Sequence, residues 1–127
     1  MSEKPAAEAI IAKILTREPR YRGEAYAFVS KAVEYTVSKL PQHRHVSAEE
    51  LLYGARAFSR EKFGALAEAV LRSWGLKSGR DFGNVVYLMI DAGLLSASPG
   101  DRREDFDIVL KPDPLPPKAK KVPKIDR

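Results

Sequence analysis

From Pro5 to Gly93 the apolar residues recur every three or four positions, and Pro19, Pro41, Gly64, Gly75 and Gly93 cut that recurrence into pieces. A period near 3.6 stacks residues on one face of a helix, whereas a half-buried strand needs a period of two. The chain is therefore confined to short amphipathic helices that must pack on one another to hide their stripes. Ile10, Ile11, Ile14 and Leu15 predict a helix over 5–17, with Pro5 suited to its first turn and Pro19 ending it. Tyr26, Val29, Val33, Val37 and Leu40, with Phe28 and Ala32 beside them, predict a second from about 23 to 40, closed by Pro41.

The third helix announces itself by its cap. Ser47-Ala48-Glu49-Glu50 has capping-box form: Ser47 accepts from the Glu50 amide and Glu50 reaches back to the Ser47 amide. Val46 is placed to staple onto Leu51. Leu51, Leu52, Ala55 and Phe58 carry this helix to about Phe63-Gly64. Leu66, Ala67, Val70, Leu71 and Trp74 form the next, with Gly75 as a left-handed stop. Ser78 to Asp81 open the last, whose stripe is Phe82, Val85, Val86, Met89 and Ile90. Gly93 ends it, and Leu94 folds back beyond the cap.

After Leu95 the pattern changes. Residues 96–101 are a turn cluster, and Phe106, Ile108 and Val109 suggest a short extended piece. The expected fold is an all-α, compact bundle of about five helices over 5–110, with at most a short strand or wing-like hairpin near 94–110. Residues 111–127 alternate five prolines with lysines and small residues, so a disordered or polyproline basic tail is expected there.

Charge sharpens that division. The net charge is +5, but residues 111–127 hold six Lys or Arg against two acids, leaving the domain close to neutral. There is no cysteine, which excludes disulfides, thiolate metal sites and cysteine nucleophiles. No signal peptide and no apolar run near the ~20 residues of a membrane span is visible, so a cytoplasmic location without membrane contact is expected.

The segment Trp74–Leu110 has the order of a recognition helix and a wing: helix, turn, helix, glycine stop, then Asp101-Arg102-Arg103 before an apolar stretch. This resembles a winged helix-turn-helix, and the arginine pair resembles the wing of the MarR-type regulators. The resemblance implies nucleic-acid contacts at Lys77, Arg80, Arg102 and Arg103, helped by Lys118, Lys120, Lys121 and Lys124 of the tail. The helix face opposite the stripe argues against it. Asp81, Asn84, Tyr87, Leu88 and Asp91 offer two acids and no cation, where a groove reader presents Arg, Lys, Asn or Gln. Tyr87 and Leu88 instead suggest an apolar patch for a protein partner, or a surface covered by 106–110. The loop Gln42-His43-Arg44-His45 is too poor in ligands for a metal site and reads as a basic loop. Asp81-Phe82-Gly83 spells a kinase triplet, but no phosphate loop or catalytic loop accompanies it. No catalytic motif emerges and no cofactor is implied; His43, His45 and Glu50 are the first place to look for an unrecognised activity.

Taken together, HVSAEELL, EKFGALAEAVLRSWG, RDFGNVVYLMIDAGLLS and REDF resemble an uncharacterised family of small proteins found mainly in planctomycete and verrucomicrobial bacteria. The similar region runs from about Arg20-Tyr21 to Phe106, and the proline-lysine tail departs from it. The resemblance implies no activity, cofactor or catalytic residue. The function expected from the residues is a non-catalytic binding or accessory module for a protein partner, with winged-helix-like DNA or RNA binding as the alternative.

Overall fold

The computed structural model describes residues 7–42, 44–96, 101–108 and 110. The described residues are helical, with no strand among them. In chain order they form α1 (Ala7–Arg17), α2 (Gly23–Ser38) and α3 (Ala48–Phe63), then a 3-10 turn at Gly64–Leu66, α4 (Ala67–Ser73) and α5 (Gly79–Asp91). A second 3-10 turn, Arg103–Phe106, follows.

The ends of these helices follow from local chemistry. Residue 40 is outside α2 because a residue before proline is pushed from the α region, so the helix stops at Ser38. The capping box of α3 forms: the Glu50 amide donates to Ser47 Oγ at 3.1 Å and the Ser47 amide to Glu50 Oε1 at 2.9 Å. Gly75 and Gly93 have φ of 97° and 84°. Each is followed by an amide that reaches back a full turn, Leu76 to the Leu71 carbonyl at 2.9 Å and Leu94 to Met89 at 2.8 Å. That pattern closes a helix whose last carbonyls would otherwise lack donors.

α2 runs through the centre. Ala25, Tyr26, Phe28, Val29 and Ala32 are all buried on it. They meet Leu51, Leu52 and Ala55 of α3 and Phe82, Val85, Val86 and Met89 of α5. Each large side chain hidden this way contributes about 1.5–3 kcal/mol relative to exposure. α2 and α3 approach closely at Gly54, where a Cβ would stand 2.0 Å from Thr36 Oγ1. Thr36 is buried and its hydroxyl donates to the Ala32 carbonyl at 2.7 Å, so no polar group is stranded at the crossing.

The strand or wing-like hairpin expected near 94–110 does not form among the described residues. Phe106, the first of its apolar residues, closes the Arg103–Phe106 turn and is buried, while Ile108 and Leu110 are half-buried. An extended strand needs a partner edge, and an all-helical domain supplies none. Residues 97–100, residue 109 and the tail 111–127 lie outside the described residues, as do residues 1–6 with Pro5.

Candidate docking clefts

The start of α5 is the place where a recognition helix would meet bases. Ser78 caps it, accepting from the Asp81 amide at 3.2 Å. The Asp81 carboxylate then accepts from the Lys77 amide at 3.1 Å and from the Tyr21 hydroxyl at 2.8 Å. Asn84 Nδ2 donates to the same Tyr21 oxygen at 2.9 Å. Tyr21 is 1% exposed, and burial is the main cause that pushes its phenol above the usual range. Asp81 and Asn84, placed by helical spacing on an outward face, are therefore bound to a residue sixty positions away. Only Asp91 of that face is fully exposed.

Segment 103–108 lies across the same end of α5. A Cβ on Gly79 would stand 2.4 Å from the Phe106 carbonyl oxygen, and one on Gly83 would stand 2.6 Å from Phe106 Cβ. The two glycines, one turn apart, form the seat for this segment. Arg80 Nε donates to Asp107 Oδ1 at 3.0 Å. Tyr87 meets Phe106 edge to face with centroids 6.4 Å apart, and Arg103 stands over the Tyr87 ring at 5.8 Å. Tyr87 is half-buried, and that burial is the first cause raising its phenol pKa.

The remaining sequence-predicted residues are dispersed. Leu88 is half-buried against the core and lines neither of the two clefts described below. Lys77 is exposed on the α4–α5 connection. Arg102 is exposed, with its Nε 3.8 Å from Asp105 Oδ1. Lys118, Lys120, Lys121 and Lys124 lie outside the described residues, as does His43.

Tyr87 opens onto a cleft of about 350 Å³. Its floor is aliphatic and aromatic: Val33, Val37, Leu51, Val86, Ile90 and Phe106. Its mouth carries Arg44, His45, Ser96, Asp101, Arg102 and Asp105, a balanced set of charges. Arg44 holds Glu50 through hydrogen bonds of 3.1 and 3.0 Å. That contact, followed by the Ser47 amide, brings the Glu50 carboxyl down to about 2. Ser47, the hydroxyl nearest His45 in sequence, already serves as the cap of α3. Among the described residues no three His, Asp or Glu side chains gather as metal ligands.

A second groove, of about 410 Å³, shares no lining residue with the first and runs along α3 and α4. Sequence reasoning missed both, because their walls come from segments far apart in the chain. The signal available was the alternation of Arg with apolar residues in Leu52–Arg60, which a helix resolves into a floor and a rim. No described helix is long and apolar enough to cross a membrane. No protein family, characterised protein or solved structure compared with the chain matches it.

Proposed function

We propose that the chain is a non-catalytic protein-interaction module that docks a partner at the cleft beside Tyr87. The observation that carries this reading is an apolar floor open to solvent and ringed by charges of both signs. An apolar depression with a few polar groups at its edge is the usual build of a recognition site. Leu88 supports the helix from the core side rather than touching the partner. Membership of the planctomycete and verrucomicrobial family belongs to the same proposal; it brings no activity and lends the reading no residue.

The alternative, duplex or RNA binding in the winged-helix manner, loses its geometric basis at α5. A recognition helix reads with its N-terminal residues, and here those turns lie beneath 103–108. Nucleic-acid affinity would have to come from exposed cations such as Lys77, Arg102 and Arg103 and from residues 111–127. One comparison separates the two readings: capture from native lysate, with and without nuclease, by the full chain and by the Ser96→Trp variant. Ser96 is exposed at the mouth of the cleft, so a tryptophan there obstructs it without entering the core. Nuclease-resistant capture lost in Ser96→Trp is the expected outcome. Capture abolished by nuclease, or indifferent to the tryptophan, overturns the proposal.

A further inference from the structure

We propose that Tyr35 and Phe58, each with its own lysine, form a stacking platform for single-stranded nucleic acid. It is a second site, independent of the Tyr87 cleft. Five rings of α2, α3 and the end of α4 run there in a continuous row. Centroid to centroid, Tyr35 lies 5.1 Å from Phe58, Phe58 5.5 Å from Phe28, Phe28 6.0 Å from Trp74 and Trp74 5.7 Å from Phe63. Phe28 is buried and the other four are half-buried. None of the five lines either cleft. Lys39 stands over the Tyr35 ring at 5.0 Å, and Lys62 over the Phe58 ring at 5.7 Å. Both pairs have the i, i+4 spacing of helical neighbours, one at the end of α2 and the other at the end of α3. Both lysines are exposed, so the ring faces beneath them are turned toward solvent.

The repeat of ring and ammonium decides the occupant. A nucleotide carries one planar base and one negative charge, the complement of that unit. Two successive nucleotides can lay a base on each ring while the displaced ammonium groups turn to the phosphates. Lys39 and Lys62 are in no ion pair among the described residues, so no carboxylate has to be given up. Lys31, exposed one turn before Tyr35, adds a third cation. Two acids stand nearby: Glu61, which accepts from the Tyr35 hydroxyl at 3.1 Å, and the exposed Glu34. That balance suits a short contact held by stacking and two phosphates rather than a long electrostatic track. A duplex keeps its bases stacked inward and offers the rings nothing. An acidic peptide answers the lysines but brings no ring at the repeat of its charges.

The test is fluorescence anisotropy of labelled oligothymidylate and oligouridylate, about ten nucleotides long, with the folded full chain. Binding is expected, weakening as salt rises. Tyr35→Leu should lower the affinity about fivefold or more, the loss of one stacked base. Tyr35→Phe keeps the ring and should keep the binding, a contrast that follows stacking rather than the bond to Glu61. Lys39→Glu/Lys62→Glu should lower the affinity about tenfold or more. Lys39→Gln/Lys62→Gln should give a smaller loss in the same direction, and serves if the reversal fails to fold by circular dichroism. In the unsubstituted chain, the NMR signals of the Tyr35 and Phe58 ring protons should move on adding either oligonucleotide. Ser96→Trp should leave this binding unchanged, which keeps the platform separable from the Tyr87 cleft. Residues 118–124 carry four lysines and attract any polyanion by charge, so affinity that survives the ring and lysine substitutions is theirs and overturns the inference. No binding, unmoved ring signals, a preference for duplex, polyglutamate competing as well as the oligonucleotides, or loss in Ser96→Trp does so too.

Discussion

Gly83→Ala tests the packing of segment 103–108 with a single methyl group. Two effects oppose each other. In a helix interior, alanine is favoured over glycine by about 1 kcal/mol. The new Cβ, however, would stand 2.6, 2.7 and 2.9 Å from Cβ, Cγ and Cδ1 of Phe106. Phe106 is 5% exposed and packs on Phe82 and Tyr87, so its ring cannot shift without giving up those contacts. Overpacking of this kind costs about 1–3 kcal/mol. If the ring is expelled instead, the loss approaches the ~3–5 kcal/mol of a phenylalanine truncation. Expulsion is the outcome expected, because the clash is with Cβ and Cγ rather than a flexible tip. Subtracting the helix gain leaves a net destabilisation of about 2–4 kcal/mol. Urea unfolding followed by Trp74 fluorescence, the single tryptophan, reads it directly. The decisive control is the same substitution in a Phe106→Ala background. With the ring gone, Gly83→Ala should become neutral or stabilising by about 1 kcal/mol. A stabilising effect in the wild-type background would refute the seat, and so would an equal loss in both backgrounds.

The two buried phenols predict opposite responses to the same change. Tyr26 is 0% exposed and its hydroxyl has no hydrogen-bond partner among the described residues, and burial pushes its pKa to about 12; Tyr26→Phe should be neutral or stabilising by up to about 1 kcal/mol. Tyr21→Phe removes a donor to Asp81 and an acceptor from Asn84, so a loss of about 1–3 kcal/mol in thermal or urea unfolding is expected. Equal effects at the two positions would show that the hydroxyl networks are misassigned. The Glu50 carboxyl, lowered from 4.5 to about 2 chiefly by Arg44, contributes stability that is present above its unfolded pKa and is lost as pH falls from about 4.5 toward 2. An NMR titration of that carboxyl should place it near 2 in the wild type and closer to 4.5 in Arg44→Ala; an unmoved value removes Arg44 as the cause.

What was legible in the sequence was whatever is settled within a few residues. Ser47 and Glu50 announced the start of α3, and Gly75 and Gly93 the ends of α4 and α5, because capping is a contest between neighbouring backbone groups. The stripe of α5 was equally readable, since Phe82, Val85, Val86 and Met89 repeat at the helical period and are buried. Its opposite face was misread for a physical reason. Asp81 and Asn84 look like solvent-facing polar residues until Tyr21, sixty positions earlier, arrives as their partner. Gly79 and Gly83 carry no side-chain signal at all; only the approach of Phe106 gives them a role. The same holds for Gly54 against Thr36. Phe106, Ile108 and Val109 suggested an extended piece because alternating apolar residues suit a strand, but a strand's stability depends on an edge to pair with. The clefts are assembled from four or more segments each, and no local pattern encodes that meeting.

The Tyr21 clasp also sorts the chain by the order in which it opens. It pins the connection between α1 and α2 to the cap of α5, and the Arg22 amide adds a bond to the Trp74 carbonyl at 3.1 Å. The chain from Tyr21 to Asn84 is thus closed into one loop, whose loss requires the body of the domain to come apart. α1 stands outside that closure. Ile14 is its one buried side chain among those described, and Pro19 leaves the connection without a donor at its middle. The helix is therefore a unit that can leave and return while the remainder stays folded, as local openings of low free energy do. Its departure would uncover apolar surface on α2, so the first surface this domain offers when it begins to loosen lies at its N-terminal end rather than at either cleft.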